Sequence, residues 1–259
     1  MNNKDRQRTS PPQRIEREFG VPVPGEILPP EHWTKTALKR LPDGPLDWNE
    51  LFGRQAPRIL ELGCGNGRYL IGSALARPQA DHIGVDVLPV VIRYATRRGN
   101  QRGLANLRFA VRDAESFVAH NVASGSIDEI HIYHPQPYYH PAQVGRRLLK
   151  PAFLAALHGA LTPGGKLFLQ TDHPAYWRYI LSAAPLFFEF RERGEPWPDT
   201  PRGRTRREII ARRAGLPIFR GEGRARTGLD AAEAQRIAET LPPPVFNADR
   251  RLQALDQLE

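Results

Sequence analysis

The sequence predicts an α/β protein organised as a doubly wound, mostly parallel sheet, and three observations predict it. From residue 58 onward, short apolar runs alternate with amphipathic stretches, which is how a parallel sheet covered by helices reads. The first run opens directly into a glycine-rich turn, Gly63-Cys64-Gly65-Asn66-Gly67. Four runs end in acids or glycines, at the carboxyl ends of strands where such sheets bind ligands.

The elements follow in order. A strand over 58–62 enters the glycine turn and a helix over 68–76 leaves it. A second strand, 82–85, ends at Asp86, and the helix over 89–101 begins with a proline that suits a first helical turn. The third strand, 107–111, runs to Arg112 and Asp113, with a short helix over 114–120 behind it. The turn Ser124-Gly125-Ser126 precedes a fourth strand, 127–133, which enters the loop His134-Pro135-Gln136-Pro137-Tyr138-Tyr139, shaped by its two prolines. A long helix over 147–161 is expected to stop at Pro163-Gly164-Gly165, before a strand over 166–170 that ends at Thr171-Asp172. Beyond it come a helix over 175–184, an extended stretch over 186–191, a basic irregular segment over 202–226, and helical stretches over 230–240 and after Asn247.

A chain of 259 residues with 40% hydrophobic content fills one sizeable core. We expect one main domain over 46–225, a flexible, loosely attached and proline-rich arm over 1–45 with a disordered start, and a helical extension over 226–259. The single cysteine, Cys64, excludes an intramolecular disulfide and any multi-cysteine metal site, and suits a reducing cytosol. With no long apolar run and no secretory signal, the reading is a cytoplasmic protein without a membrane or metal partner. A net charge of +9 suggests a polyanionic partner. Two basic clusters stand out as candidate nucleic-acid contacts: Arg93, Arg97, Arg98 and Arg102 on the second helix, and the arginines of 202–226.

The strand ends suggest a cofactor. Gly63 and Gly65 let backbone pass close to a ligand, and Glu61 can orient the turn or accept from a ligand ammonium group. Asp86, nineteen residues past Gly67, is placed to take both hydroxyls of a ribose. Asp113 could hold an adenine amine, or simply cap the following helix. The glycines run G-x-G-x-G, not the G-x-G-x-x-G of dinucleotide sites, so with these acids and by analogy of fold S-adenosylmethionine is favoured over a dinucleotide.

Over roughly 58–221 the chain carries I-L-E-L-G-C-G-N-G-R-Y-L, I-G-V-D, V-R-D-A, S-I-D-E-I-H-I-Y-H-P-Q-P-Y, R-R-L-L-K-P-A-F-L, L-T-P-G-G-K-L-F-L-Q-T-D and the T-R-R-E of Thr205 to Glu208. On these motifs it resembles the bacterial tRNA (guanine-N7)-methyltransferases. It implies a seven-stranded, Rossmann-like class I methyltransferase fold that moves a methyl group from S-adenosylmethionine to N7 of a guanine in tRNA. It also implies that Glu61, Gly63, Gly65, Asp86, Asp113 and the residue at 136 serve the cofactor, while Asp172, Thr205 and Glu208 contact the guanine and its surroundings. Gln136 stands where the family carries its catalytic Asp, and His140 where a substrate-contacting Lys is expected. Pro141, Ala142 and Gln143 replace basic residues, which leaves Arg146 and Arg147 of the RNA-contacting run.

Guanine N7 attacks with a lone pair that is already free, so no general base is needed; a carboxylate at 136 would instead favour the positive charge that develops on the base. Gln136 keeps hydrogen-bonding capacity without that charge, which predicts an enzyme slower by about a hundredfold. Tyr138 or Tyr139 could stack on a splayed base or pack locally. A noncatalytic RNA-binding or partner protein, and a methyltransferase for a different acceptor, stay open as alternatives.

Overall fold

The computed structural model describes residues 15–200, 202–247 and 250–256; of the start expected to be disordered, residues 1 to 20, the first fourteen lie outside them, while 17–18 form a strand. A short hairpin, β1 (Arg17–Glu18) and β2 (Val21–Pro22), precedes α1 (Trp48–Phe52). Then come β3 (Arg58–Leu62), α2 (Arg68–Ala76), β4 (Asp81–Asp86), α3 (Pro89–Gln101), β5 (Leu107–Val111), α4 (Ala114–Asn121) and β6 (Ile127–Tyr133). The second half comprises α5 (Pro151–Ala160), β7 (Leu161–Thr171), α6 (Pro174–Ala183), β8 (Phe188–Glu192), α7 (Arg206–Arg213), β9 (Phe219–Ala225), α8 (Ala231–Thr240) and α9 (Arg250–Asp256).

Seven strands form one sheet in the order β5-β4-β3-β6-β7-β9-β8. The chain starts at the centre, winds out through β4 to β5, then returns to β6 and β7 on the other side of β3, all in parallel pairings. Reversal of strand order between β3 and β6 opens a crevice beyond the carboxyl ends of these strands. Alternation along each strand splits the core. Ile59 and Phe109 face Leu70, Ile71 and Ile92 on one side, and Leu60, Leu62, Ile130 and Ile132 face Phe117, Phe153, Leu157 and Trp177 on the other.

Three sequence expectations are corrected. The helix expected over 147–161 is α5, Pro151–Ala160, with a proline in its first turn; a 3-10 segment, Pro141–Arg146, precedes it, and Leu161 already pairs with Ile127 as the first residue of β7. The basic segment expected to be irregular contains α7 and β9, an antiparallel strand inserted between β7 and β8. Its glycines are the missed signal: a Cβ at Gly221 would lie 2.7 Å from both the Phe190 ring and the Arg191 carbonyl oxygen, so the strands fit only because that position is bare.

The third correction concerns the arm. Where the sequence reads as loosely attached, its described part is docked. Leu38 N–H donates to Phe109 O at 2.8 Å and Phe109 N–H to Thr36 O at 2.7 Å, covering the outer edge of β5. Thr36 is fully buried, and its hydroxyl bonds Asn100 of α3 at 2.9 Å. Among the described residues no helix is long and apolar enough to cross a membrane.

Gly221→Ala should destabilise the protein by about 1–3 kcal/mol, because β8 must give way to the new methyl group. Urea-unfolding midpoints compared with wild type check this, and an unchanged midpoint would show that β8 can yield.

Candidate functional site

The glycine turn is built from both ends. Gly63 and Cys64 N–H both donate to Val85 O, at 2.9 and 3.0 Å, which ties the turn to the end of β4. Gly65 N–H donates to Asp86 Oδ2 and Leu88 N–H to Asp86 Oδ1, each at 2.9 Å. Gly63, Gly65 and Gly67 take φ values of 78°, 51° and 76°, a region in which glycine carries no steric penalty. Their roles differ. A Cβ on Gly63 or Gly65 would project into open space, as a ligand-facing cradle requires, whereas one on Gly67 would strike Phe109 at 2.7 Å and Ala95 at 2.9 Å. Gly67 thus serves the packing of α2 on the sheet. Cys64 is a buried small residue in the turn, its thiol pushed well up by burial.

Glu61, at 1% exposure, projects from β3 beside this turn, and its Oε2 has no hydrogen-bond partner among the described residues. Burial pushes its carboxyl well above the usual range, Arg204 opposing and Asp86 adding to the shift. An unsatisfied buried carboxylate oxygen costs free energy unless a donor reaches it, and a cationic donor would both pair it and restore its charge. The residues present therefore fit the ammonium end of S-adenosylmethionine, with Gly63 and Gly65 open toward it. Burial also raises Asp86 above its ordinary value, against the pull of the Leu88 and Gly65 amides. Asp113 is exposed and caps α4, accepting from Ser116 N–H at 2.9 Å.

A small cavity of about 10 Å³ opens at the ends of β6 and β7, lined by Gln136, Tyr139, Asp172, His173 and Arg207 together with His134 and its neighbouring prolines. The loop bearing Gln136 lies between two left-handed residues, His134 at φ 53° and Tyr138 at φ 43°, conformations that side chains with a Cβ adopt at a cost. His134 is held there by its N–H donating to Gln170 O at 2.7 Å. The indole of Trp197 donates to Gln170 Oε1 at 2.7 Å. Because an indole only donates, this bond orients the Gln170 amide and turns its Nε2 toward His134 Nε2 and Glu208 Oε2, each at 3.0 Å. His134 Nε2 therefore accepts, and the ring proton sits on Nδ1, 3.2 Å from Asp172 Oδ1. Arg207 Nε donates to the other oxygen of Asp172 at 2.8 Å. Burial works against the Asp172 carboxylate, yet His134 and Arg207 outweigh it and hold the group well below the usual carboxylate range.

Thr205 and Glu208 sit one helical turn apart because they cap α7: Thr205 Oγ1 accepts from Glu208 N–H at 3.1 Å. Glu208 is buried at 1% exposure, its Oε2 accepting from Gln170 and from Arg204 N–H at 2.7 Å, its Oε1 meeting Arg212 at 3.1 Å and Arg220 at 3.3 Å. It stands behind the cavity, reaching it through Gln170. His140 and Arg146 are exposed at the two ends of the 3-10 segment. Arg147 is corrected as an RNA contact: at 1% exposure its guanidinium donates to the carbonyls of Pro137, Tyr138, Pro244 and Phe246 and lies 3.6 Å over the Phe246 ring, so its donors are turned inward. Arg98 and Arg102 of the first basic cluster are likewise buried against Glu16, while Arg93 and Arg97 stay exposed. Tyr139 packs on His173 at 5.6 Å.

Sequence reasoning missed Gln170, His134 and Trp197 as site residues, and read Arg204 and Arg207 only within the basic cluster over 202–226 as nucleic-acid contacts, whereas both are buried. Arg204 is buried among the rings of Tyr69, Tyr133 and Trp197, donates to Tyr133 Oη at 2.6 Å and pairs with Asp199. A polar Gln at the end of an apolar strand was the available signal for Gln170; no local pattern marks the others. Among the described residues no group of three or more His, Cys, Asp or Glu could hold a metal ion.

A family model described as "Putative methyltransferase" matches residues 55–220. The chain is similar to the tRNA (guanine-N(7)-)-methyltransferase of Alkalilimnicola ehrlichii, 34% identical over 71% of this chain and 78% of the relative. It is also similar to that of Halorhodospira halophila, 35% identical over 68% of this chain and 78% of the relative. Among solved structures, the 16S rRNA methyltransferase KamB superposes with a TM-score of 0.54 at 14% identity, over 74% of this chain and 98% of that one. The 16S rRNA (adenine(1408)-N(1))-methyltransferase of Catenulisporales acidiphilia superposes at 0.50 with 20% identity, over 71% and 94%. These two likenesses concern the fold, a class I methyltransferase fold with the expected seven strands.

The depressed Asp172 carboxyl gives a pH signature. A folded value below the unfolded one contributes stability that is complete above about pH 4 and is lost as pH falls through the folded value. Asp172→Asn should therefore flatten the acid limb of the stability curve and, by removing the charge of a buried ion pair, cost about 3 kcal/mol at neutral pH. Urea midpoints across pH check both, and parallel acid limbs would refute the assignment.

Proposed function

The chain belongs to the tRNA (guanine-N(7)-)-methyltransferase family, and from that premise we propose that it transfers the methyl group of S-adenosylmethionine to N7 of a guanine in tRNA. The observation that carries this reading is the pairing, at the carboxyl ends of neighbouring central strands, of a cofactor cradle with an orphaned Glu61 oxygen and a polar cavity lined by Gln136 and Asp172. The cofactor, when bound, supplies an electrophilic methyl group on a sulfonium sulfur. Glu61 receives the cofactor's ammonium and Asp86 its ribose hydroxyls. Asp113, exposed and already engaged as a helix cap, keeps an oxygen available for the adenine amine only at the rim.

The residues around the small cavity position the base at its mouth. Gln136 is exposed on the loop between the two left-handed residues and offers both a donor and an acceptor, but no charge. The field that stabilises positive charge on the methylated base comes instead from Asp172, which lines the same cavity and is held ionised. Arg207 and the His134 N–H draw on that field, so Asp172 replaces only part of what a carboxylate at position 136 would give. Glu208 and Thr205 act at one remove, fixing α7 and, through Gln170, the His134 ring. His140 and Arg146, exposed on the adjoining 3-10 segment, face the RNA chain.

Incubation with labelled S-adenosylmethionine and unmodified bulk tRNA, followed by nucleoside analysis, should yield 7-methylguanosine. Gln136→Asp should raise the rate at saturating substrate by up to about a hundredfold, the usual worth of one charged group aimed at transition-state charge. If neither form methylates tRNA although both bind the cofactor, tRNA is not the acceptor.

A further inference from the structure

The first half of the glycine turn is anchored by β4, through Val85 O and Asp86. Its second half is anchored from outside the sheet. Asn66, between Gly65 and Gly67, donates through Nδ2 to Glu18 Oε1 of the N-terminal hairpin at 2.7 Å. The same carboxylate, 6% exposed, takes Arg98 of α3 at 3.0 Å on Oε1 and Arg68, the first residue of α2, at 3.2 Å on Oε2. Arg206, which follows Thr205 at the start of α7, approaches it to 3.9 Å and lies over the neighbouring Phe19 ring at 4.8 Å. Arg98 also reaches Asn66 O at 3.4 Å, so both side chain and backbone of Asn66 are held.

One residue, some fifty positions away in sequence, therefore contacts the turn and the three helices that surround it. A turn with three glycines in the left-handed region is conformationally permissive and gives up much entropy when fixed. We propose that Glu18 is a positioning residue: it holds the Gly63-to-Gly67 turn in the conformation that receives the cofactor and sets α7 in register with it, so that the N-terminal hairpin governs cofactor affinity. This rests on the reading of that turn as the cofactor cradle. Removing the anchor leaves a folded protein whose turn is competent for only part of the time, and apparent affinity falls by that fraction.

The test uses the full chain as wild type, Glu18→Gln, Asn66→Ala and, as a control for lost stability alone, Arg54→Ala, which breaks the Arg54–Asp81 pair at the opposite end of β4. S-adenosylhomocysteine is titrated calorimetrically at a temperature where circular dichroism shows all four folded. Glu18→Gln and Asn66→Ala should raise its Kd about tenfold, as expected when the competent turn is populated about a tenth of the time, and Arg54→Ala should match wild type. In turnover, KM for S-adenosylmethionine should rise with kcat at saturation within about twofold, a split that general destabilisation does not produce. Should Glu18→Gln fail to fold, Asn66→Ala decides, because it leaves the Glu18 ion pairs intact. Wild-type affinity in a folded Asn66→Ala overturns the proposal while leaving the cofactor reading in place; no binding by wild type itself overturns both.

Discussion

The Glu208 carboxylate ties together the parts of the molecule that the site needs. It is buried among Gln170 of β7, the Arg204 amide before α7, Arg212 within α7 and Arg220 of β9. A charge removed from water persists only when several donors replace its hydration, so its position is over-determined, and so is that of everything bonded to it. Through Gln170 it fixes the ring of His134; through α7 it places Arg207 on Asp172. The cavity at the ends of β6 and β7 inherits its shape from this one buried ion. The antiparallel strand β9, with its bare glycines, is what brings Arg220 within reach.

The same physics redistributes the chain's positive charge. A net charge of +9 reads as a surface field, but Arg68, Arg98, Arg102, Arg147, Arg204, Arg207 and Arg220 are all buried. They neutralise Glu16, Glu18, Asp172 and Glu208 or thread carbonyls and aromatic faces. Guanidinium suits this work, because its planar fork pairs and stacks while remaining charged. The positive charge left at the surface is therefore smaller and more local than composition suggests, and includes the exposed Arg93, Arg97 and Arg146. Beside Gln136 the negative charge in the cavity comes from Asp172, one strand over, and not from the loop itself.

Much of the fold was legible because its signals are local. Strand β3, the turn and α2 are read correctly from apolar run, glycines and helix periodicity, and Asp86 and Asp113 fall at the strand ends where the pattern puts them. Where local signals are ambiguous, reading failed. Arg147 sits in a run of basic residues beside a predicted helix, and nothing nearby in sequence shows that four carbonyls from Pro137 to Phe246 enclose it. β9 is polar and glycine-rich, features that argue against a strand until the rings of β8 are seen to require them.

By itself, then, the sequence determined the doubly wound sheet, the glycine turn flanked by Glu61 and Asp86 at the strand ends, and the family to which the chain belongs. Hydrophobic period and turn chemistry act over a few residues, and short motifs carry their chemistry with them. Only the tertiary structure decided which charges face solvent, that the N-terminal hairpin locks onto the turn through Glu18, and that Asp172, His134 and Arg207 form one unit. Those pairings join residues separated by tens of positions, and a buried ion chooses its partners by proximity in the folded chain, which no local pattern encodes.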